Sequence, residues 1–303
     1  MLASAVIAGA EKSGTTSLFR SLSEHPDVGV ATVKETRYFQ PIMYGNELEP
    51  LSVYEAYFAD TGDATVRLEA TPRYLCGGRP LAERMGEVLG PDARILMVLR
   101  DPVARFESFF AFQKARLRIG PEVDVEAYLA RADALSAAER AEPANHAWLA
   151  FPGGCYADYL PAWHDVFGDH LHVLFFNDLL KDTANVLRAV ATFLAIDPGA
   201  FPSYEFSSEN RTTGYKRAGF QKVALGVNDR FERFFRRHYK LKERVRAAYY
   251  RVNGRGGRER VSEPVKAMLQ ARYEAPNRRL AEQLATMGVA LPPWLDSERA
   301  SAQ

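Results

Sequence analysis

The chain is poor in cysteine, in long apolar runs and in any excess of one charge, and each shortage excludes something. Its 303 residues hold only two cysteines, Cys76 and Cys155, far apart and outside any CxxC, so neither a disulfide scaffold nor a cysteine-rich zinc site is available. Such usage fits a reducing compartment, and a cytoplasmic protein is expected. The longest apolar stretches, residues 95–99 and 171–176, fall far short of the roughly 20 residues of a membrane-spanning helix. Residues 1–10 are apolar but lack a basic n-region and run straight into Glu11-Lys12-Ser13-Gly14, which reads as a strand rather than a signal peptide. Lysine and arginine total 39 against 38 acidic residues, so the molecule exerts no general pull on nucleic acid or anionic membrane, and any anion site is local. At 47% hydrophobic and 25% charged, the composition is that of an ordinary globular protein, and one domain spanning 1–303 is expected.

Three strand-to-helix units are visible. Residues 5–9 form a short apolar run, followed by a turn with Gly14 and by helical spacing over 15–22, with Leu18, Phe19 and Leu22 on one face. Residues 94–99 form a second run, ended by Pro102, after which 103–112 resume helical spacing. Residues 171–176 form a third, leading through Asn177-Asp178 to a helix with Leu187, Val190, Phe193 and Leu194. Shorter strands are expected at 28–32 and 65–69, and helices at 123–141, 157–167 and 265–287. Apolar strands alternating with helices imply an α/β fold whose central parallel sheet is covered on both faces. No linker or internal repeat interrupts the pattern. Residues 230–260 are strongly basic and interleaved with aromatics; the spacing is that of a solvated amphipathic helix, with an acceptor-binding or lid role as the alternative.

In a parallel sheet, ligands sit beyond the carboxyl ends of the strands, where a following helix offers unpaired N–H groups to an anion. The loop Gly9-Ala10-Glu11-Lys12-Ser13-Gly14-Thr15-Thr16 stands at that place, with a lysine, a permissive glycine and two hydroxyls. An ordinary strand-to-helix turn with Thr15 as N-cap is the plain alternative. A nucleoside-triphosphate P-loop places its lysine after the second glycine, whereas here Lys12 precedes Gly14. The second strand ends in Arg100 rather than in a Mg²⁺-binding aspartate, although Asp101 follows it. Cations at two strand ends suggest a nucleotide with phosphates at two separate positions.

Lys12-Ser13-Gly14-Thr15-Thr16-Ser17-Leu18, then His25-Pro26-Asp27-Val28, then Lys34-Glu35-Thr36-Arg37-Tyr38-Phe39, resembles the opening of the PAPS-dependent sulfotransferases, in particular their heparan-sulfate-type and related bacterial branch. Leu99-Arg100-Asp101-Pro102-Val103-Ala104-Arg105-Phe106-Glu107-Ser108 resembles that family's second signature. The resemblance implies a P-loop-like three-layer α/β/α fold, PAPS as sulfuryl donor and PAP as product. It implies that Lys12, Ser13, Gly14, Thr15, Thr16 and the adjoining Ser17 hold the 5′-phosphosulfate, and that Arg100 and Ser108 grip the 3′-phosphate. A late basic loop closes over the nucleotide in the family; here the candidate is 210–217, with Tyr215, Lys216 and Arg217. Glu35 occupies the place of the general base, and Lys12 supplies charge to the leaving phosphate.

Alternatives remain at several points. Glu35 can merely pair with Lys34 or Arg37, and His146 is a second candidate acid or base. Glycan-modifying members often carry lysine where Ala70 stands; that departure counts against a glycan acceptor and leaves Glu69 or Arg73 to position some other one. The expected acceptor is a hydroxyl, or after it an amine, on a small metabolite or glycoconjugate, with no metal and no nucleic acid involved. A small-molecule kinase or other P-loop nucleotide enzyme, and a non-catalytic nucleotide-binding module, are the competing readings.

Overall fold

The central strands are rich in apolar residues, and the period-2 alternation of side chains sends successive residues into opposite layers. In a computed structural model, which describes residues 1–203, 214–215, 218–230, 245, 254–255 and 261–296, five such strands form one parallel sheet: β1 (Ala5–Gly9), β2 (Val28–Val30), β3 (Val66–Ala70), β4 (Arg94–Leu99) and β5 (Leu171–Phe175). Their spatial order is β2-β3-β1-β4-β5. Ile95, Met97 and Leu99 of β4 join Val6 and Ala8 of β1 in one buried cluster, while Leu96 and Val98 join Ala5 and Ile7 in the other.

Helices cover both faces. On the Ile95 side lie α3 (Gly78–Leu89) and α7 (Leu160–Phe167), contributing Leu81, Met85 and Trp163. On the Leu96 side lie α1 (Thr15–Ser23) and α9 (Thr183–Leu194), contributing Leu18, Leu22, Leu187, Val190 and Leu194. The three-layer α/β/α arrangement expected from the sequence is present. A third cluster, with no strand residue in it, packs Phe106 and Phe109 of α4 (Pro102–Ala115) against Tyr128 and Leu129 of α5 (Val125–Asp133) and Val265, Leu269 and Tyr273 of α11 (Glu263–Thr286). The other helices are α2 (Leu51–Ala56), α6 (Ala137–Ala141), α8 (Phe176–Lys181) and α10 (Ala218–Arg230), and a two-stranded pair is formed by β6 (Gly214–Tyr215) and β7 (Gly254–Arg255).

Two expectations are corrected. The helix read over 123–141 is two helices, because Ser136 and Glu139 form a capping box that starts α6 afresh: Glu139 N–H donates to Ser136 Oγ at 3.2 Å and Ser136 N–H to Glu139 Oε2 at 2.8 Å. The stretch 157–167 begins as a 3₁₀ turn (Tyr156–Asp158), and α7 itself starts only at Leu160. The basic aromatic stretch 230–260 lies outside the described residues except for Arg230, Val245, Gly254 and Arg255.

Candidate active site

The strand order reverses direction between β1 and β4: from β1 the chain proceeds to β3 and β2 on one side and to β4 and β5 on the other. That switch point opens a crevice at the carboxyl ends of the two strands. Gly9 closes β1 against the turn at Leu75, whose Cβ lies 2.7 Å from where a Gly9 Cβ would stand, so only glycine lets the loop start there. Lys12 adopts a left-handed backbone (φ 69). Gly14 does so too (φ 87) and is itself the N-cap of α1, with no side-chain cap among the described residues. Thr15 is therefore the first helical residue, not the cap that the plain reading of the loop required. Ser13, Thr15 and Ser17 are buried and Thr16 is half-buried.

The two expected phosphate segments meet. Arg100 Nη1 donates to the Lys12 carbonyl at 3.0 Å, across 88 residues of sequence, and the Arg100 guanidinium stacks 4.7 Å from the Phe176 ring centroid. Lys12 Nζ lies 4.2 Å from the centroid of Phe112 on α4. Ser108 is one turn earlier on α4, hence on the same face as Phe112, and is buried. Asp101, the alternative Mg²⁺ ligand, instead caps α4: its Oδ1 accepts the Ala104 N–H at 2.7 Å. The adjacent signature arginine, Arg105, turns inward, is 1% exposed and donates from Nη1 to the Ala150 carbonyl at 2.7 Å.

Glu35 stands beyond the ends of β2 and β3, tied to the sheet by its N–H donating to the Ala70 carbonyl at 3.0 Å. Its carboxylate meets Lys34 Nζ at 3.2 Å and Arg37 Nη2 at 3.4 Å, so the charge pairing weighed for it is present. Burial pushes its carboxyl up, but Lys34 and Arg37 outweigh this and hold it below the usual range, against a smaller opposing push from Glu11. Glu35 thus lies within electrostatic reach of the phosphate loop. Lys216, Arg217 and the side chain of Tyr215 fall outside the described residues.

Three features rest on contacts that the sequence alone does not give. Glu11 Oε2 pairs with His146 Nε2 at 2.9 Å over 135 residues. Burial pushes the Glu11 carboxyl up, yet His146, then Arg73 and Arg105, hold it at about 2. Tyr156 donates its hydroxyl to the Arg100 carbonyl at 2.9 Å and accepts the Arg100 N–H at 3.4 Å, which fixes the backbone that aims Arg100. Glu69, one of two expected acceptor-positioning residues, is fully buried and accepts hydrogen bonds from four hydroxyls; its carboxylate faces the core, which leaves half-exposed Arg73, near Glu11 and 5.5 Å from the Tyr44 ring centroid.

A parallel sheet with a lysine-bearing loop at its switch point and an arginine bonded to that loop defines a three-layer α/β domain that brings two cationic segments together. The chain belongs to the sulfotransferase family: a match to the sulfotransferase domain spans residues 3–224. It is 29% identical over 194 residues to the heparan sulfate glucosamine 3-O-sulfotransferase 6 of Homo sapiens, covering 63% of this chain and 52% of that protein. With the heparan sulfate glucosamine 3-O-sulfotransferase 3A1 of Mus musculus, identity is 28% over 197 residues, covering 64% and 46%. The chain thus spans about half the length of these relatives. A sulfotransferase from Alicyclobacillus acidocaldarius shares the fold, with a TM-score of 0.70 at 21% identity over 97% of this chain and 99% of its own. Among the described residues, no helix is long and apolar enough to cross a membrane.

Proposed function

We propose that this chain transfers the sulfuryl group of PAPS to a hydroxyl of a glycoconjugate or small metabolite, with an amine as the lesser alternative. The observation that carries this reading is the 3.0 Å bond from Arg100 Nη1 to the Lys12 carbonyl, which joins two cationic segments at one crevice, as a ligand phosphorylated at two positions requires. The residues present fit such a donor. The uncapped α1 N-terminus, with Gly14 left-handed and Ser13 buried beside it, offers N–H groups and a hydroxyl to the 5′-phosphosulfate. Arg100 and Ser108 suit the 3′-phosphate.

In the transfer, Glu35 takes the proton of the acceptor hydroxyl as the acceptor oxygen bonds to sulfur. The bond from sulfur to the bridging phosphate oxygen breaks, its electron pair stays on that oxygen, and Lys12 balances the charge gathering there. The lowered Glu35 carboxyl suits a base that is ionised at neutral pH. The names of the 3-O-sulfotransferase relatives favour a glycan hydroxyl. Two unpaired thiols, Cys76 and Cys155, support the cytoplasmic placement.

The test is thermal stabilisation by PAP beside ATP with Mg²⁺, ADP and 5′-AMP, because a ligand that binds only the folded state raises its stability by RT ln(1 + [L]/Kd). PAP is expected to stabilise most. A larger effect of ATP with Mg²⁺ would replace this reading by a kinase.

A further inference from the structure

The proposed base heads a segment whose backbone is held from beneath by a buried carboxylate. Glu69, at 0% exposure, receives hydroxyl protons from Thr36, from Thr71 at 2.9 Å and from Tyr74 at 2.8 Å on Oε1, and from Tyr54 at 2.5 Å on Oε2. A hydroxyl has one proton to give. With those protons committed to Glu69, the lone pairs of three of the hydroxyls turn toward three consecutive backbone N–H groups. Thr71 Oγ1 accepts from Arg37 N at 3.3 Å, Thr36 Oγ1 from Tyr38 N at 3.3 Å, and the Tyr74 hydroxyl from Phe39 N at 3.2 Å. Glu35 N, donating to the Ala70 carbonyl, completes the attachment.

We infer that Glu69 is a positioning residue for Glu35: its carboxylate sets the direction of three hydroxyls that clamp residues 37–39 and so fixes the turn that presents Glu35 to the acceptor. Glu35 and Arg37 both have left-handed backbones, at φ 65 and φ 60, a conformation that non-glycine residues keep only where their surroundings over-determine it. The clamp supplies that determination. A neutral amide cannot replace the carboxylate, because it puts an NH2 donor where one acceptor oxygen stood and an uncharged, weaker acceptor in place of the other, so the hydroxyls crowded on Oε1 lose the charge that fixes their protons and frees their lone pairs for the N–H groups. Tyr54 also donates to Glu69 but is not among the hydroxyls that hold residues 37–39, which makes it an internal control. The inference rests on the reading of Glu35 as base.

The experiment compares the wild type with Glu69→Gln, Thr71→Val, Thr71→Ser, Tyr54→Phe, Glu35→Gln and the double variant Glu69→Gln/Glu35→Gln. Two quantities are read: amide hydrogen exchange at residues 37–39, and release of PAP from PAPS with water alone and with heparan sulfate as acceptor. Glu69→Gln is expected to speed exchange at 37–39 but not in β1 or β4. It should also lower kcat roughly tenfold or more with KM for PAPS unchanged, the cost of a misaligned group. Thr71→Val should do the same at Arg37, Thr71→Ser should restore it, and Tyr54→Phe should leave exchange at 37–39 near wild type. The double variant should be no slower than Glu35→Gln alone, since Glu69 acts through Glu35. Unchanged exchange at 37–39 in Glu69→Gln and Thr71→Val, or losses that multiply in the double variant, would overturn the inference. Full turnover by Glu35→Gln would overturn the base reading instead, while exchange, which needs no turnover, still decides the clamp.

Discussion

Around the ends of β1 and β4 the candidate site is dominated by Lys12, Arg100 and main-chain donors, with Glu11 paired to His146, whereas around the ends of β2 and β3 it centres on two carboxylates, Glu35 held by Lys34 and Arg37 and Glu69 held by hydroxyls. The first side needs little beyond a strand end, an uncapped helix and two basic residues, because an anion is held by any convergent set of N–H groups and charge. The second side must aim one proton acceptor in one direction, and a flexible glutamate does not aim itself. Its loop is therefore stapled to β3 through hydroxyls bonded to a fully buried Glu69. In the proposed reading, binding of the donor and orientation of the base are thus separate structural tasks, and substitutions should separate them.

The sharpest separation comes from Glu35→Gln. Loss of a general base lowers turnover by roughly 10² to 10⁴, and PAP affinity, read by calorimetry, should not move. A parallel loss of PAP affinity would show that the two sides are one. The reverse separation is Arg100→Ala. With a charge-assisted bond to phosphate worth about 1.5–3 kcal/mol, PAP affinity should fall roughly tenfold to a hundredfold, while 5′-AMP binding stays near wild type. Equal losses for both nucleotides would remove Arg100 from the 3′-phosphate. A smaller effect belongs to Tyr156→Phe, which deletes the hydroxyl bonded to both the carbonyl and the N–H of Arg100. About 1 kcal/mol of lost hydrogen bonding should weaken PAP several-fold and leave the turnover of saturated enzyme unchanged.

The same contrast explains what could be seen in the sequence. The phosphate loop, the strands around it and Arg100 are written in contiguous residues, since apolar runs and a Lys-Ser-Gly turn are local signals. The break between α5 and α6 was also local, in the Ser136 and Glu139 capping box, but apolar spacing read across it. Glu35 stood out only through family resemblance. What holds it did not stand out: Glu69 reads as a candidate to position an acceptor, and its bonds to the loop emerge only when the fold brings Thr36, Tyr54 and Tyr74 to it, while Glu11 meets His146 only across 135 residues. A carboxylate's surroundings, not its identity, decide its role, and those surroundings are tertiary.

Two buried or half-buried glutamates should therefore titrate with opposite consequences for stability. Glu11, at about 2 in the folded protein against 4.5 as the ordinary value, is depressed because His146 and two arginines outweigh the burial that raises it. Its contribution is fully present above pH 4.5 and is lost as pH falls from there through about 2. Glu69 is raised, because burial outweighs the hydroxyl bonds that favour its charge. Its contribution is present below 4.5 and is lost as pH rises through the folded value. Measured as Tm against pH, the gap between wild type and Glu11→Gln should close on acidification from pH 5 toward 2. The gap between wild type and Glu69→Gln should instead widen as pH falls toward 4.5 from above and stay level below it, since protonation relieves the cost of a charge that the amide never carries. Any constant offset from altered hydrogen bonds leaves these slopes untouched. Parallel slopes would mean that the cation-rich and hydroxyl-rich sides hold their carboxylates in the same way, and the distinction between them would fail at its base.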